Sequence, residues 1–293
     1  MLLTSHPKRL STDIDIIVEP GTPVEDFIST AATIFPFIRY EEQKRIGASM
    51  IEKRHFKFYY NSPLSGQEFQ ILLDVVFEKN KYSRLEQIPI ANDLLISSLD
   101  YHYVSVPGID CILGDKLTAF APHTIGIQLN SGKDMEVMKQ FYDICTLLEV
   151  FSDYALVSRT YRDVAASEIA YRGTDIGYVD ALNDTYEAAA CIASRGKTNK
   201  GDYPLYVAGI RSLRGHLYEV GFTPETAAIR ATRVMYMAAC LLNEVVYSRV
   251  DDPQNYLDQQ ITHAYLAPLR YLRKVNPESY AYAIKIDRLL SRV

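Results

Sequence analysis

The sequence predicts an α+β fold, with a mixed sheet and helices in residues 1–150, followed by an all-helical bundle in residues 151–293. Strand-like segments occur in the first half alone, at residues 13–18, 54–60, 68–77 and 102–106. From residue 153 onward, helix-period patterns follow one another with no convincing strand. A length of 293 residues suits two domains, and we expect their boundary near residue 150.

The composition is that of a soluble globular protein and disfavours several classes of function. Hydrophobic residues make up 48% and charged residues 23% of the chain, with a formal net charge of −5. No apolar run reaches the ~18 residues of a membrane span, and the first residues do not have the pattern of a secretion signal. The cysteines are scattered, and neither they nor the histidines show zinc-ligand spacing. We therefore expect a cytoplasmic protein without structural zinc.

The first strand and the helix after it are marked by turn and cap residues. Residues 13–18 alternate acid and aliphatic side chains and then become β-branched, which is typical of a strand. Pro20-Gly21 predicts a turn. Thr22-Pro23-Val24-Glu25 has the pattern of an N-cap, a proline at the first helical position and a capping-box glutamate. We expect a helix from there to about Phe35.

The next two strands predict an antiparallel hairpin. Residues 54–60 and 68–77 are strand-like, and the turn-forming segment Asn61–Gly66 separates them. The segment 41–52 before this hairpin is ambiguous between helix and strand. A further short strand is expected at 102–106.

Helices account for the rest of the chain. The helix expected near 133–151 has apolar side chains every three or four residues, which indicates one buried face. The helices are predicted at about 109–121, 133–151, 153–172, 175–194, 203–219, 223–248, 255–273 and 277–291.

Two acids on the first strand are the first candidates for chemistry. Residues two apart on a strand point to the same face, so Asp13 and Asp15 project side by side. Two neighbouring carboxylates repel unless a positive charge lies between them. A divalent metal that carries nucleotide phosphates would resolve the repulsion, since Mg²⁺ is usually held by one or two carboxylates with phosphate oxygens. The alternative is an exposed strand edge with two solvated acids.

Asp74 is the third candidate, because it interrupts an aliphatic run that is typical of a strand buried on both faces. An ionised carboxylate is costly to bury without a partner or a metal. The alternative is a carboxylate that caps a loop or pairs with an arginine. Three acids on neighbouring strands would suit two-metal nucleotidyl transfer, with Arg9, Ser11 and Lys116 as candidate phosphate ligands.

The order of these residues resembles one family, the AbiEii/AbiGii toxin group of nucleotidyltransferases. Its first acid strand has the pattern Arg-x-Ser-x-Asp-h-Asp-h, where h is hydrophobic, and Arg9, Ser11, Asp13 and Asp15 match it. Asp74 matches the single acid of a later strand.

Two helices extend the resemblance to about residue 148. Lys116-Leu117-Thr118-Ala119-Phe120 is similar to the family's Lys-h-x-Ala-h helix, and Phe141-Tyr142-Asp143-Ile144 is similar to its aromatic-Asp-h helix. Lys139-Gln140 stands where the family has a Lys/Arg-Asp pair.

The resemblance implies a polymerase-β-like fold and transfer of a nucleoside monophosphate from an NTP to an acceptor hydroxyl. It implies the toxin of a toxin–antitoxin or phage-defence pair, with tRNA ends as the acceptor class, a cognate antitoxin as a partner, and Mg²⁺ or Mn²⁺ as cofactor. The implied metal ligands are Asp13, Asp15 and Asp74, the implied nucleotide ligands are Arg9, Ser11 and Lys116, and the implied catalytic set is Asp13, Asp15, Asp74, Lys116 and Asp143.

The most basic stretch of the chain is a candidate RNA contact. Its cations interleave with two tyrosines, as in RNA-binding loops, and they are Arg195, Lys197, Lys200, Arg211 and Arg214. The alternative is a solvated loop between helices.

Two alternatives from other classes stay open at this stage. The family's Gly-Gly-Ser/Thr element, which cradles the triphosphate, has no counterpart in the eight residues before Arg9. A catalytically inactive nucleotide- or RNA-binding homologue is therefore one alternative. A small-molecule nucleotidyltransferase of the antibiotic-modifying kind is the other.

Overall fold

A computed structural model describes residues 3, 6–11, 13–43, 51–93, 102–218 and 221–291. The chain forms two compact units. The smaller contains residues 10–81, and the larger contains residues 1–9 and 82–293.

The smaller unit is a four-stranded mixed sheet with one helix. Its elements are β1 (Asp13–Val18), α1 (Glu25–Ala31), β2 (Phe37–Gln43), β3 (Lys53–Asn61) and β4 (Glu68–Phe77). The strand order is β1-β4-β3-β2, with β1 parallel to β4 and the other pairs antiparallel. The predicted α+β class and the predicted hairpin of β3 and β4 are confirmed.

One face of this sheet packs against α1 and forms a small core. Its buried strand residues lie two apart, as the period of two requires, and they are Phe56, Phe58, Val75 and Phe77. Val24 at the N-cap and Ile28 within α1 complete the core. The prediction that β4 is buried on both faces is wrong: Leu72, Asp74 and Val76 on its other face are half-buried.

The start of α1 differs from the predicted capping box. The Thr22 hydroxyl donates to the Glu19 carbonyl at 2.7 Å and thereby closes a turn. The N-cap is Val24, which makes no side-chain cap bond, so the helix begins at Glu25 and is shorter than predicted. The ambiguous segment 41–52 contains the end of β2 and stops just before β3, and residues 44–50 lie outside the described residues.

The larger unit is mainly helical. A small antiparallel sheet is formed by β5 (Leu85–Pro89) and β6 (Tyr103–Pro107). The helices are α2 (Ile109–Ala119), α3 (Asp134–Val150), α4 (Tyr154–Arg172), α5 (Tyr178–Ala193), α6 (Tyr203–Leu213), α7 (Pro224–Leu242), α8 (Leu272–Val275) and α9 (Pro277–Leu290). The helical C-terminal part is confirmed.

The compact units do not separate at residue 150, where we expected the boundary. Helices α2 and α3 share one core with the helices that follow them. At Gly114 on α2, an added Cβ would lie only 2.6 Å from the Val157 carbonyl and 3.0 Å from Thr160 Cβ, both on α4. Helices that approach this closely across residue 150 belong to one body.

The single helix predicted at 255–273 is replaced by shorter pieces. Two 3-10 helices span Pro253–Tyr256 and Ala264–Tyr271, and α8 follows the second. Pro268 lies inside the second, and a proline removes the backbone N–H that a continuous α-helix needs. Within the described residues, no helix is long and apolar enough to cross a membrane.

Candidate active site

The register of the smaller unit places the three predicted acids on one face of its sheet. Asp15 on β1 is the direct partner of Asp74 on β4, and Asp13 is the partner of Leu72. Residues paired across neighbouring strands share a face, and so do residues two apart on one strand. Asp13, Asp15 and Asp74 therefore all point away from the core that α1 covers. Strands in a sheet are about 4.8 Å apart, so Asp15 and Asp74 are adjacent.

Asp74 has a second neighbour on the same face, which is His55 of β3. The two residues are partners in the antiparallel register, and His55 Nδ1 lies 2.7 Å from Asp74 Oδ1. The side chain of His55 is 14% exposed and that of Asp74 is 29% exposed. Among the described residues, Asp74 is thus paired with a histidine, whereas the sequence alternatives were a loop backbone or an arginine.

The three acids of the smaller unit are candidate ligands for a divalent cation. Among the residues described, no group of three or more His, Cys, Asp or Glu side chains is placed so that it could hold a metal ion. The three acids offer oxygen donors alone, and Mg²⁺ is usually held by one or two carboxylates plus phosphate oxygens. Their chemistry therefore fits Mg²⁺ or Mn²⁺ that arrives with a triphosphate, and it does not fit a structural zinc site.

Ser11, expected to bind nucleotide, precedes β1 and is exposed. Its hydroxyl donates to the Asp13 carbonyl at 3.2 Å. A hydroxyl that bonds to the backbone two residues on shapes the turn into the strand.

Three other predicted site residues meet in the larger unit. Arg9 donates from Nε to Asp143 Oδ1 at 2.6 Å and from Nη2 to Asp143 Oδ2 at 2.8 Å. Lys116 Nζ lies 3.1 Å from the same Oδ2 and donates to Gln140 Oε1 at 2.7 Å. Asp143 on α3 therefore holds both the N-terminal arginine and the lysine of α2.

The electrostatics of this group favour the ionised form of Asp143. Its side chain is 13% exposed, and burial by itself raises a carboxyl pKa. The hydrogen bond from Arg9 and the charges of Lys116 and Arg9 outweigh burial, so the pKa of Asp143 lies below its usual value.

The basic stretch covers the loop between α5 and α6, the last turn of α6 and the residue that follows this helix. All five of its predicted cations are exposed: Arg195, Lys197, Lys200, Arg211 and Arg214. Arg195 has a positive φ of 55°, and its guanidinium lies 4.5 Å from the centroid of the Tyr271 ring. Position 196 requires glycine because an added Cβ would lie only 2.7 Å from Tyr203 Cβ.

Two residues that contact the predicted site residues, His55 and Gln140, were not predicted from the sequence. The pairing of His55 could have been predicted from the hairpin register. Asn61 pairs with Glu68 next to the turn. Six residues before Asn61 on β3 and six after Glu68 on β4 are His55 and Asp74, which therefore also pair. Gln140 stands where the family pattern has an aspartate, and no local signal places its amide on Lys116.

Sequence comparison identifies the class of protein. The family described as "Nucleotidyl transferase AbiEii toxin, Type IV TA system" matches residues 1–223. The chain belongs to this family of nucleotidyltransferase toxins of Type IV toxin–antitoxin systems, which confirms the resemblance. Membership in such a system implies a cognate antitoxin as a partner.

Comparisons with individual proteins show only a distant structural similarity. The crystal structure of JHP933 from Helicobacter pylori is similar with a TM-score of 0.42 and 13% identity, over 81% of this chain and 78% of that chain. No curated protein matches the chain in sequence.

Proposed function

We propose that this protein is a metal-dependent nucleotidyltransferase that moves a nucleoside monophosphate from an NTP to an acceptor hydroxyl of RNA, with tRNA as the acceptor class. The observation that carries the proposal is the common face of Asp13, Asp15 and Asp74 on a mixed sheet. A family of nucleotidyltransferases supplies the reaction class, and the acids supply the donors that the reaction needs.

Each predicted residue has a role in this proposal. Asp13 and Asp15 would hold the cation that accompanies the triphosphate, and Asp74 would complete the set on the side of the acceptor hydroxyl. A divalent cation bound there supplies neutralisation of phosphate charge and a lower pKa of the attacking hydroxyl. Neighbouring carboxylates repel one another, and a divalent cation bound among them would relieve that repulsion.

In the larger unit, two cations would bind phosphate and one carboxylate would hold them in place. Lys116 would neutralise a phosphate as a point charge, while Asp143 fixes the lysine at 3.1 Å. Ser11 would offer its hydroxyl and Arg9 its guanidinium charge. Asp143 is therefore a positioning residue in this proposal, because its carboxylate contacts Arg9 and Lys116.

RNA is favoured over a small-molecule acceptor by the exposed cations between residues 195 and 214. Surface lysines and arginines bind the phosphate backbone by charge, with a strong dependence on salt. The formal net charge of −5 disfavours indiscriminate binding of nucleic acid, so a local patch has to supply the contact.

The test is incubation of the protein with each α-³²P-labelled NTP, Mg²⁺ and either total tRNA or small alcohols and aminoglycosides. The expected result is label on tRNA from one or more NTPs, and none from the same NTP labelled at the γ-phosphate, because pyrophosphate leaves. Label on the small molecules would instead indicate the antibiotic-modifying alternative. Nucleotide binding without transfer from any NTP would indicate an inactive homologue.

A further inference from the structure

Asp74 lies in the middle of a row of three polar residues that crosses three strands. Asp15 of β1 is its partner on one side, and His55 of β3 is its partner on the other. The row lies on the face of the sheet opposite the core under α1, where Asp13 also lies. A carboxylate on one side and an imidazole on the other have opposite effects on Asp74: the first repels its charge and the second donates to it.

The hydrogen bond between His55 and Asp74 has a definite direction. An ionised carboxylate oxygen only accepts, so the hydrogen between His55 Nδ1 and Asp74 Oδ1, 2.7 Å apart, belongs to the imidazole. His55 is the more enclosed of the two, with 14% of its side chain exposed against 29% for Asp74. Its neighbour Phe56 is 2% exposed and is part of the core, which fixes the strand at this point. The donor is thus held rigidly and the acceptor faces outward.

We propose that His55 is a positioning residue for the metal-binding acid Asp74; this rests on the proposed function. By holding Oδ1, His55 fixes the rotation of the carboxylate and turns Oδ2 toward the cation. Ligating carboxylates are commonly oriented by hydrogen bonds from residues behind them, and loss of such a partner typically lowers metal affinity or activity about 10–100-fold.

The test compares two amide variants that differ in where they place a donor. In His55→Asn the amide nitrogen replaces Nδ1, whereas in His55→Gln it lies at the position of Nε2. Mn²⁺ binding is measured calorimetrically with a non-hydrolysable α,β-methylene NTP analogue present, so the readout does not depend on turnover. We expect His55→Gln to raise the Mn²⁺ dissociation constant about 10–100-fold. His55→Asn should bind Mn²⁺ almost as wild type does.

Asp74→Asn serves as the reference that separates this inference from the proposed function. If wild type binds no Mn²⁺, or Asp74→Asn binds it as well as wild type does, the proposed metal site is wrong and so is the role of His55. If Asp74→Asn loses Mn²⁺ but both His55 variants bind normally, the metal site stands and the positioning role is overturned. Equal weakening in both His55 variants also overturns it, because the donor at Nδ1 would then not matter.

A measurement on the unsubstituted protein covers the case in which His55→Gln fails to fold. The ring ¹⁵N resonances of His55, assigned by their absence in His55→Asn, should show a protonated Nδ1 and should shift when Mg²⁺ and the NTP analogue are added. Those of His263, an exposed histidine of the larger unit, serve as the control. A His55 ring that does not respond to Mg²⁺ would overturn the inference.

Discussion

Arg9 and Asp143 lie 134 positions apart and form an ion pair through two parallel hydrogen bonds of 2.6 Å and 2.8 Å. Their side chains are 16% and 13% exposed. Next to Arg9, the backbone N–H of Tyr218 donates to the Lys8 carbonyl at 3.1 Å. The chain before the first strand is therefore fixed to the larger unit by both side-chain and backbone bonds.

We expect Arg9→Ala to lower the free energy of unfolding of the larger unit by about 1–3 kcal/mol, the range for a hydrogen bond to a charged group. The effect arises because Asp143 stays buried after its main partner is removed. The control is Arg159→Ala: this arginine is 71% exposed and lies 3.8 Å from Asp163. Exposed ion pairs four residues apart on a helix contribute about 0.3–0.5 kcal/mol to stability. Equal effects in urea unfolding would show that the Arg9 pair is no stronger than a surface pair.

The same pair predicts a dependence of stability on pH. The pKa of Asp143 is lowered in the folded state, because Arg9 and Lys116 outweigh burial. A carboxyl with a lowered folded pKa stabilises above its unfolded pKa, near 3.9, and loses that contribution as pH falls through the folded value. The stability difference between wild type and Asp143→Asn should be constant above about pH 5 and shrink below about pH 4. Asp163→Asn is the control, and its small difference should not change in this range.

Local patterns predicted most of the fold because each strand and helix carries its own signal. Residues 68–77 were predicted as a strand and form β4 with the same bounds. Thr223 was predicted to begin a helix, and its hydroxyl accepts from the Thr226 N–H ahead of α7. β5 was missed because Leu-Glu-Gln-Ile-Pro has a single β-branched residue, whereas β6, which has the same length, carries two valines at alternate positions.

The candidate site was predicted by residue type more than by geometry. The alternation of β1 correctly placed Asp13 and Asp15 on one face, but the sequence does not state which strand lies beside β1. The parallel register with β4 makes Asp74 the neighbour of Asp15. The pairing of Arg9 with Asp143 is non-local, and no pattern within a few residues of either could indicate it.

Gly209 is a position where packing predicts a large effect of one methyl group. An added Cβ on this α6 residue would lie 2.7 Å from the Asp134 carbonyl carbon and 2.8 Å from Met138 Cγ, both on α3. We expect Gly209→Ala to destabilise by about 1–3 kcal/mol, since backbone atoms cannot yield as a side chain can. Gly215→Ala is the control, because nothing lies within 4 Å of its added Cβ. If Gly209→Ala melts like Gly215→Ala, α6 does not pack this closely on α3.

Replacement of the β1 acids should separate activity from stability. We expect Asp13→Asn or Asp15→Asn to abolish Mg²⁺-dependent transfer while the melting temperature stays the same or rises, because one of several repelling charges is removed. Asp26→Asn is the matched control, an exposed acid on α1 of the same unit. It should transfer at the wild-type rate. Normal transfer by the Asp13→Asn, Asp15→Asn double variant would contradict the metal site.

Lys116 tests whether the larger unit contributes to nucleotide binding. Its Nζ is held 3.1 Å from Asp143 and 2.7 Å from Gln140 Oε1, and its side chain is 25% exposed, so a phosphate can reach it. We expect Lys116→Ala to weaken NTP binding by about 1–3 kcal/mol, the loss of a charged hydrogen bond, while tRNA binding through the basic stretch is largely retained. Calorimetry with each NTP analogue measures the first, and a filter-binding titration with tRNA measures the second. Lys274→Ala, which removes an exposed lysine of the same unit, should change neither. An unchanged NTP affinity in Lys116→Ala would mean that the lysine serves only to neutralise Asp143, and a parallel loss of tRNA binding would mean that the substitution disturbs the whole unit.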